Sequence, residues 1–261
     1  MKIANFLNVC VSYGDKNVLN NITLAIEEKE HTVILGANGS GKSTLIKLFS
    51  NDIYPKISSN SYKKVFDKDV WNIFELKNML GIVTNDMSQK MIDLAPQITI
   101  FEAVLSSFYS SIGTHSHQKY TNTQHIATHD ALRELNIWHL KNKPICETST
   151  GELRKTVIAR ALVHNPKALL LDEPTTGLDI KAQIEFVELI RTLAKNKTII
   201  LITHHIEEIF EEIKQAILLK NGEIFKSGKI PSVLTSQNLS ELFDINLLLE
   251  QSNNRFSIKK N

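Results

Sequence analysis

Between residues 36 and 43 the chain reads Gly36-Ala37-Asn38-Gly39-Ser40-Gly41-Lys42-Ser43. This stretch follows the apolar run Thr32–Leu35 and precedes a helix-forming segment at residues 44–49, and it matches the pattern G-x-x-x-x-G-K-[ST]. Glycines let successive backbone N–H groups turn toward phosphate oxygens, and the N-terminus of the following helix adds its positive dipole end. The stretch therefore predicts a phosphate-binding loop between a buried strand and a helix.

Two side chains of this loop carry specific chemistry. The Lys42 ammonium is expected to reach the β- and γ-phosphates of a nucleotide, and the Ser43 hydroxyl is expected to ligate Mg²⁺. The alternative is a glycine-rich turn that only caps a helix. It is disfavoured because the strand and the helix on either side also fit the phosphate-binding motif.

A second motif places two carboxylates at the end of a buried strand, in Leu169-Leu170-Leu171-Asp172-Glu173. Ionised side chains are costly there unless a cation or a donor pairs with them, and Mg²⁺ is such a partner. Asp172 is predicted to hold the hydration shell of the metal near Ser43, and Glu173 to orient and deprotonate an attacking water. An acidic pair that only starts the next turn is the alternative, which the phosphate loop argues against.

The third motif, Thr148-Ser149-Thr150-Gly151-Glu152, leads into a helical stretch. Ser149 and Glu152 have the S-x-x-E spacing of a capping box, which predicts a helix start. A helix start preceded by small residues is also an anion site. The two interpretations are compatible, since a cap whose N–H groups face outward can receive a phosphate from a second molecule.

Strand-type and helix-type segments alternate along the chain. Strands are predicted at residues 3–11, 18–26, 32–35, 63–66, 168–171, 198–202, 216–219 and 223–226. Helices are predicted at residues 73–80, 99–109, 124–135, 151–163 and 180–194. This order predicts a parallel sheet covered on both faces. Asn221-Gly222 predicts a type I′ hairpin, and the polar tail at residues 251–261 is expected to fray.

Composition narrows the class of protein. Lys+Arg of 30 against Asp+Glu of 28 leaves a net charge of +2, which gives no reason to expect nucleic acid or an anionic membrane as partner. Cys10 and Cys146 lie far apart without metal-type spacing, as is typical of a reducing cytosol. No apolar run approaches the roughly 18–20 residues that span a bilayer, and no signal peptide is expected. A membrane role would therefore require another chain.

Taken in order, the motifs resemble those of the ATP-binding subunit of ATP-binding-cassette (ABC) transporters, over nearly the whole chain. The resemblance adds Tyr13 as an adenine-stacking aromatic, Thr176-Gly177-Leu178-Asp179 as the loop that crosses to a partner subunit, and His204 as the switch histidine at the γ-phosphate. Tyr13 could alternatively be a core tyrosine at a strand end, and His204 could alternatively be a residue that only packs at a strand end.

The resemblance implies an α/β fold of the P-loop NTPase type. The implied fold is that of an ABC-type nucleotide-binding domain, with a mixed sheet core, an N-terminal antiparallel β region and an inserted helical subdomain. The implied ATPase domain covers residues 1–235, with the helical subdomain inserted at about residues 86–165, and residues 236–261 form a C-terminal extension.

The resemblance also implies ATP and Mg²⁺ as ligands and assigns the site residues. The catalytic residues are Glu173, His204 and Lys42, and the metal ligands are Ser43, Asp172 and Asn85. The nucleotide-binding residues are Tyr13, Gly36, Ala37, Asn38, Gly39, Ser40, Gly41, Lys42, Ser43, Thr44, Ser149, Gly151, Glu152 and Asp179.

Two departures from the family pattern bear on the site. The signature, usually L-S-G-G-Q or L-S-G-G-E, has Thr150 at its first glycine, and the extra Cβ is expected to narrow the anion site. The glutamine that normally follows the strand at residues 81–83 is replaced by Thr84-Asn85-Asp86, with Gln89 farther on. Three outcomes are open, in this order of preference. Asn85 ligates Mg²⁺ after a local adjustment, Gln89 moves in to make the contact, or the contact with Mg²⁺ is absent.

The chain carries one copy of each motif, and in the family the phosphate loop of one chain and the signature of another form one site, so the resemblance implies a site shared by two chains. ATP held by residues 36–43 of one chain is closed by residues 149–151 of the other, in a homodimer or a heterodimer of ABC ATPase subunits. Membrane-spanning permease chains are the further partners, docked near residues 85–109. The chain is then cytoplasmic and peripheral on the inner face of the cell membrane. The alternative is a soluble ABC ATPase of cofactor assembly or repair, without a membrane partner.

A group of histidines at residues 115–129 is not explained by the family pattern: His115, His117, His125 and His129. His125 and His129 are four residues apart, which is a metal-ligand spacing on a helix. A solvated helical surface is favoured over a metal site, because no cysteine or carboxylate pair completes one.

Overall fold

Strands and helices alternate along residues 1–252 and 255–260, which the structure, a computed structural model, describes. The strands are β1 (Lys2–Tyr13), β2 (Lys16–Glu27), β3 (Thr32–Leu35), β4 (Tyr62–Val65), β5 (Leu80–Val83), β6 (Ala168–Asp172), β7 (Thr198–Thr203), β8 (Gln215–Lys220), β9 (Glu223–Lys229), β10 (Leu247–Ser252) and β11 (Arg255–Lys260). The α-helices are α1 (Lys42–Phe49), α2 (Ile73–Lys77), α3 (Asn85–Leu94), α4 (Ile100–Leu105), α5 (Asn122–Glu134), α6 (Thr150–Leu162), α7 (Ile180–Ala194), α8 (Ile230–Val233) and α9 (Ser236–Phe243). The chain divides into two compact units, residues 1–76 with 194–261 and residues 77–193.

The first unit begins with a long antiparallel hairpin of β1 and β2, and β4 pairs with the other side of β1. In β1, Ile3 and Ala4 are both buried beside a first register shift, and the burial then alternates through Phe6, moving to the odd positions Val9 and Val11 after a second shift. Alternation of buried and exposed residues is what a half-buried strand requires. The predicted N-terminal antiparallel β region is confirmed.

A mixed sheet with the strand order β7-β3-β8-β9 forms the rest of the core of this unit. β3 pairs in parallel with β7 on one side and with β8 on the other, and β9 runs antiparallel to β8. All four residues of β3 are buried, as expected of a strand with a neighbour on each side. Asn221 and Gly222 connect β8 to β9 with φ of 51° and 79°, and a type I′ turn requires positive φ at both positions. The predicted mixed sheet and its hairpin are confirmed.

The second unit contains a parallel pair of strands, β5 and β6, with Leu80 opposite Ala168 and Val83 opposite Leu171. Neighbouring side chains pack closely against Gly81 of β5, since a Cβ at this position would lie 2.7 Å from Cδ2 of Leu169. Helices α3 to α6 fill the segment between the two strands, which is the predicted helical insertion. In the described part of the chain, no helix combines the length and the apolar character that crossing a membrane needs.

Most residues of α6 are buried, including the charged Arg160. The Arg160 guanidinium donates to Ser106 Oγ at 2.9 Å and to Ser111 O at 2.8 Å, and also to Ala103 O. Burial lowers the pKa of Arg160 to about 10, an effect that Tyr120 opposes, so the group stays protonated at neutral pH. Because a buried cation needs hydrogen-bond acceptors, Arg160 ties α6 to α4 and to the turn after it.

The helix predicted at residues 73–80 is wrong at its C-terminal end. α2 ends at Lys77, and Leu80 is the first residue of β5. Residues 80–83 pair with β6 along their whole length, and apolar spacing alone cannot distinguish a short buried strand from a helical turn. The helix predicted at residues 99–109 is α4 followed by a 3-10 turn, Ser106–Tyr109. α3 was not predicted from the sequence.

The polar tail forms a hairpin, which corrects the expectation that residues 251–261 fray. β10 and β11 pair antiparallel, with Leu249 opposite Ile258 and Gln251 opposite Phe256. Phe256 is buried, and β11 contacts the 3-10 turn Ile206–Glu208. Burial of an aromatic side chain stabilises a segment whose overall composition is polar. Residues 253, 254 and 261 of the predicted tail lie outside the described residues.

Candidate active site

The glycine-rich loop turns around the head group of its own lysine. Lys42 Nζ donates to Gly36 O at 2.8 Å and to Ala37 O at 3.1 Å, and the residue is 7% exposed. Lys42 is also the first residue of α1, so its charge lies beside the N-terminal end of that helix. The loop therefore brings a cation and the free N–H groups of a helix terminus together, which is the combination that binds phosphate.

Two glycines of the loop are required by space and by backbone conformation. A Cβ at Gly36 would lie 2.5 Å from Leu219 O and 2.5 Å from Ser40 Oγ. Gly41 has φ of 108°, and a Cβ there would lie 2.7 Å from Cδ2 of Leu19. A side chain at either position would force the loop to move, so both glycines are structural requirements of the cradle.

His204 and the phosphate loop leave the sheet of the first unit at the same edge. Leu35, the residue before Gly36, lies opposite Thr203, the residue before His204, in the parallel ladder of β3 and β7. The His204 ring lies against the ring of His205, with centroids 4.0 Å apart and the ring planes tilted by 37°. His204 therefore lies at the carboxyl edge of the parallel strands, the edge at which ligands bind in α/β folds.

Tyr13 lies at the end of β1 with 48% of its surface exposed. Nζ of Lys47, a residue of α1, lies 5.9 Å from the centroid of the Tyr13 ring. The ring is therefore beside the helix that begins at the phosphate loop and is accessible for stacking. The alternative of a buried core tyrosine is excluded by this exposure.

In the second unit, Asn85 and Asp172 lie at the carboxyl ends of two paired parallel strands. β6 ends at Asp172, and Asn85 begins α3 two residues after Val83, which lies opposite Leu171. Oδ1 of Asn85 is buried and has no hydrogen-bond partner among the described residues. A carboxylate and an orphaned amide oxygen are ligands that Mg²⁺ accepts, so these two residues fit a magnesium site.

Gln89, the second candidate for the same contact, is exposed on α3. Its Nε2 donates to Oδ1 of Asp93 at 2.8 Å. Gln89 thus already has a partner one helical turn ahead, whereas Asn85 has an unsatisfied oxygen. This contrast favours Asn85 over Gln89 as the candidate Mg²⁺ ligand.

Glu173 begins a tight turn directly after β6. Its φ is 44°, in the left-handed region that few non-glycine residues adopt. Thr176 N donates to Glu173 O at 3.2 Å, and Leu178 N donates to Thr175 O at 3.1 Å. The turn ends at Asp179, whose Oδ1 accepts from Ala182 N at 2.8 Å and so caps the first turn of α7.

The predicted capping box of α6 is present. Glu152 N donates to Ser149 Oγ at 3.3 Å, and Ser149 N donates to Glu152 Oε2 at 2.8 Å. Lys143 Nζ also reaches Glu152 Oε2 at 2.8 Å. Burial opposes ionisation of Glu152, but the hydrogen bonds from Lys143 and Ser149 outweigh it and hold the pKa of the carboxyl below its usual value. The helix start is therefore preorganised, and the Glu152 carboxylate is engaged in the cap.

The four extra histidines pack as surface aromatics. His125 stacks on Phe101 with centroids 5.8 Å apart, and His129 Nδ1 lies 3.0 Å from Oδ1 of Asp130. Across residues 1–252 and 255–260, no three His, Cys, Asp or Glu side chains are grouped as a metal site would require.

Sequence reasoning missed Arg154, which is 4% exposed in α6. The guanidinium Nη2 donates to Thr176 O, in the turn that follows Glu173, at 3.4 Å. A signal was present in the sequence, because Arg154 is four residues after Thr150 and four before Ile158 and so shares a helix face with them.

Comparison with known proteins gives one consistent family. A family model described as ABC transporter matches residues 19–176. The chain is 34% identical over 246 residues to an ABC transporter ATP-binding protein, YlmA, of Bacillus subtilis, covering 91% of this chain and 89% of that protein.

Two solved structures are similar to the fold described above. One is cbiO1 from Clostridium perfringens, part of the ABC transporter complex cbiONQ, with a TM-score of 0.75, 27% identity and coverage of 92% of this chain and 93% of that one. The other is MJ0796, a bacterial ABC transporter cassette solved as a dimer, with a TM-score of 0.69, 25% identity and coverage of 87% and 98%.

Proposed function

The chain belongs to the ABC transporter family, and from this premise we propose how its own residues bind ATP, hydrolyse it and pass the energy to transport. It is the ATP-binding and ATP-hydrolysing subunit of an ABC transporter. The observation that carries the proposal is the loop at residues 36–43, which surrounds the Lys42 ammonium directly at the start of α1.

Binding begins at this loop. Lys42 exchanges the carbonyls of Gly36 and Ala37 for β- and γ-phosphate oxygens, and backbone N–H groups from Ala37 to Thr44 donate to the remaining ones. The Tyr13 ring stacks on the adenine. The remaining nucleotide-binding residues of the same chain are Asn38, Gly39, Ser40, Gly41 and Ser43.

Hydrolysis cleaves the bond between the γ-phosphorus and the bridging oxygen, with water as the nucleophile. Glu173 accepts a proton from the attacking water, and His204 donates a hydrogen bond to the γ-phosphate. Mg²⁺, held by Ser43, Asp172 and Asn85, neutralises phosphate charge when it is bound. Asp172 ends β6 and Glu173 begins the turn after it with a left-handed backbone, and in this proposal the two carboxylates serve different roles.

Two chains complete each site in this proposal. The N-terminus of α6 in one chain, with Ser149, Gly151 and Glu152, closes over the γ-phosphate held by the other, and Asp179 lies in the loop that crosses between them. The capping box supports this role because it satisfies the helix start with its own side chains and leaves the first N–H groups of α6 for a phosphate. The partner is a second ABC ATPase subunit, identical or different.

The test of the shared site is Glu173→Gln. This variant keeps the shape of the side chain but cannot accept a proton, so it is expected to bind ATP, to lose at least about 100-fold in hydrolysis and to accumulate as an ATP-bound dimer. Light scattering with and without ATP measures the dimer. Glu188→Gln, on the exposed face of α7, is the control. A Glu173→Gln chain that stays monomeric with ATP would refute the two-chain site.

We also propose that the subunit acts on permease chains at the inner face of the membrane, docked near residues 85–109. The ATPase domain is then residues 1–235, with its helical subdomain at about residues 86–165, and residues 236–261 are an extension. A tagged Glu173→Gln chain, purified with ATP from detergent-solubilised membranes, is expected to bring down a protein with several membrane spans. Recovery of cytosolic partners alone would instead support a soluble ABC ATPase.

A further inference from the structure

Arg154 is a buried cation in the helix that carries the signature motif. It lies in the second turn of α6, five residues after Ser149, and it is 4% exposed. A charged group in such a position is costly, and a hydrogen-bond acceptor such as the one that Nη2 of Arg154 has lowers that cost. Lysine or arginine at an exposed site needs no such partner, so the burial of Arg154 points to a specific contact.

That contact joins α6 to the turn that begins at Glu173. Arg154 Nη2 donates to Thr176 O at 3.4 Å, and Thr176 N in turn donates to Glu173 O at 3.2 Å. The backbone of Thr176 is thus held at both its N–H and its carbonyl group. One residue farther on, a Cβ built on Gly177 would lie 4.0 Å from Cγ2 of Thr150, so the turn passes close to the start of α6.

Glu173 needs such support because of its backbone. A glutamate with φ of 44° is strained by about 1–3 kcal/mol relative to ordinary conformations, and such residues persist only when their surroundings hold them. The hydrogen bond from Thr176 N closes the turn on one side. Arg154 fixes the carbonyl of that same residue from the neighbouring helix.

We propose that Arg154 is a positioning residue for ATP hydrolysis that couples the signature helix to the turn carrying Glu173. The inference rests on the proposed function. In that proposal Ser149 and Gly151 contact the nucleotide bound to the partner chain, while Glu173 acts on the nucleotide bound to its own chain. Arg154 acts through the peptide of Thr176 and touches no substrate. Through it, closure of α6 on the partner's nucleotide sets the backbone of Glu173 in the same chain.

The experiment compares Arg154→Gln, Arg154→Lys and the control Arg133→Gln, an exposed arginine in the last turn of α5. Steady-state ATPase assays give kcat and KM, calorimetry gives the ATP affinity, and thermal melting checks folding. Arg154→Gln is expected to lower kcat by about tenfold or more, because small displacements of a catalytic group cost up to roughly 100-fold. KM and the ATP affinity are expected to stay within about twofold, since Lys42 and its loop are unchanged.

Rescue by the conservative variant separates positioning from packing. Arg154→Lys keeps a cationic donor and is expected to lose only about threefold in kcat, with KM unchanged, while Arg133→Gln is expected to match the wild type. If Arg154→Gln does not fold, Arg154→Lys decides alone. A several-fold loss in kcat at unchanged KM supports the inference, and wild-type kcat with a lower melting temperature refutes it.

Three other results would overturn the inference. They are a folded Arg154→Gln chain with kcat within about twofold of the wild type, a raised KM at unchanged kcat, and an Arg154→Lys chain as impaired as Arg154→Gln. The proposed function fails separately, since a wild-type chain without ATPase activity would refute it in the same assay. An active wild type with an equally active Arg154→Gln refutes only the role of Arg154.

Discussion

The Lys42 ammonium donates to two carbonyl oxygens of its own loop, at 2.8 and 3.1 Å. Because the side chain is nearly buried, its charge is directed into the concave side of the loop and not to solvent. A phosphate oxygen in that position replaces a neutral acceptor by an anionic one, so the ammonium gains the Coulomb attraction of an ion pair in a partly dehydrated site.

Lys42→Ala is therefore expected to weaken ATP binding by at least about tenfold, which corresponds to about 1.4 kcal/mol. Isothermal calorimetry with ATP and Mg²⁺ measures the loss. Lys226→Ala, at an exposed position of β9 in the same unit, is the matched control and is expected to bind normally. Equal affinities for the Lys42→Ala and Lys226→Ala chains would disprove the role of Lys42.

Two histidines titrate outside the site and are expected to make stability depend on pH. Nδ1 of His31 accepts a hydrogen bond from Ile199 N at 3.0 Å, and burial lowers the pKa of His31, an effect that Glu212 opposes. Burial, helped by the charge of Lys77, lowers the pKa of His164 to about 4. Both groups are thus neutral in the folded chain at pH values where the unfolded chain begins to bind protons.

The direction of the effect follows from linkage. Between pH 6.5 and about pH 4 the unfolded chain binds the proton of His164 and the folded chain does not, so stability falls as the pH falls. His164 alone is expected to account for up to about 3 kcal/mol by pH 4. Urea unfolding at several pH values gives the free energy of unfolding as a function of pH. Its slope against pH is expected to be smaller for His164→Gln than for the wild type, and His139→Gln, at an exposed position, is the control. Identical slopes for all three chains would contradict the assignment.

At the scale of elements, α5 and α6 begin in the same way. Thr121 caps α5 with a capping box formed with Gln124, and Ser149 caps α6 with one formed with Glu152. The two starts satisfy the same orphan N–H groups by the same geometry. Only the start of α6 is proposed to bind a phosphate of a second chain.

This pair separates capping from catalysis. Ser149→Ala and Thr121→Ala are each expected to lower stability by about 1 kcal/mol, because each removes one cap. Only Ser149→Ala is expected to lower kcat for ATP hydrolysis, by about tenfold or more, as the loss of a preorganised donor would. Thermal melts and ATPase assays of both variants check this. A parallel loss of activity in the two would reduce Ser149 to a cap.

At the scale of the whole molecule, the two ends of the chain belong to one unit, residues 1–76 with 194–261. The C-terminal hairpin of β10 and β11 contacts the turn Ile206–Glu208, which begins two residues after His204. Phe256 is 8% exposed, whereas Leu248 on the other face of the hairpin is 42% exposed. The hairpin therefore packs on this unit through one face.

Phe256→Ala is expected to lower the free energy of unfolding by about 3 kcal/mol, the lower end of the range for a buried phenylalanine. Leu248→Ala, which removes an exposed side chain of the same hairpin, is expected to change it by less than about 1 kcal/mol. Chemical unfolding of the two variants measures the difference. Equal effects would mean that the hairpin does not pack through Phe256.

Local sequence was sufficient for three features that short stretches form. The phosphate loop, the capping box of residues 149–152 and the turn at Asn221 and Gly222 each involve a few neighbouring residues, whose backbone preferences and hydrogen bonds do not depend on distant parts of the chain. The strands β1 and β2 were predicted for a related reason, since the alternation of apolar residues is typical of half-buried strands, whereas their antiparallel pairing was implied only by the family resemblance.

Pairing between distant residues was decided only by the tertiary structure. Leu80 belongs to β5 and not to the helix before it because β6 lies beside it, and the polar tail is a hairpin because Phe256 is buried. Arg154 reaches Thr176 across 22 residues of sequence, and Oδ1 of Asn85 is orphaned by its surroundings and not by its neighbours in the chain. Burial and long-range pairing depend on which elements pack together, and no local preference specifies that. The motifs of this ATPase were therefore determined by its sequence, and the links between them by its fold.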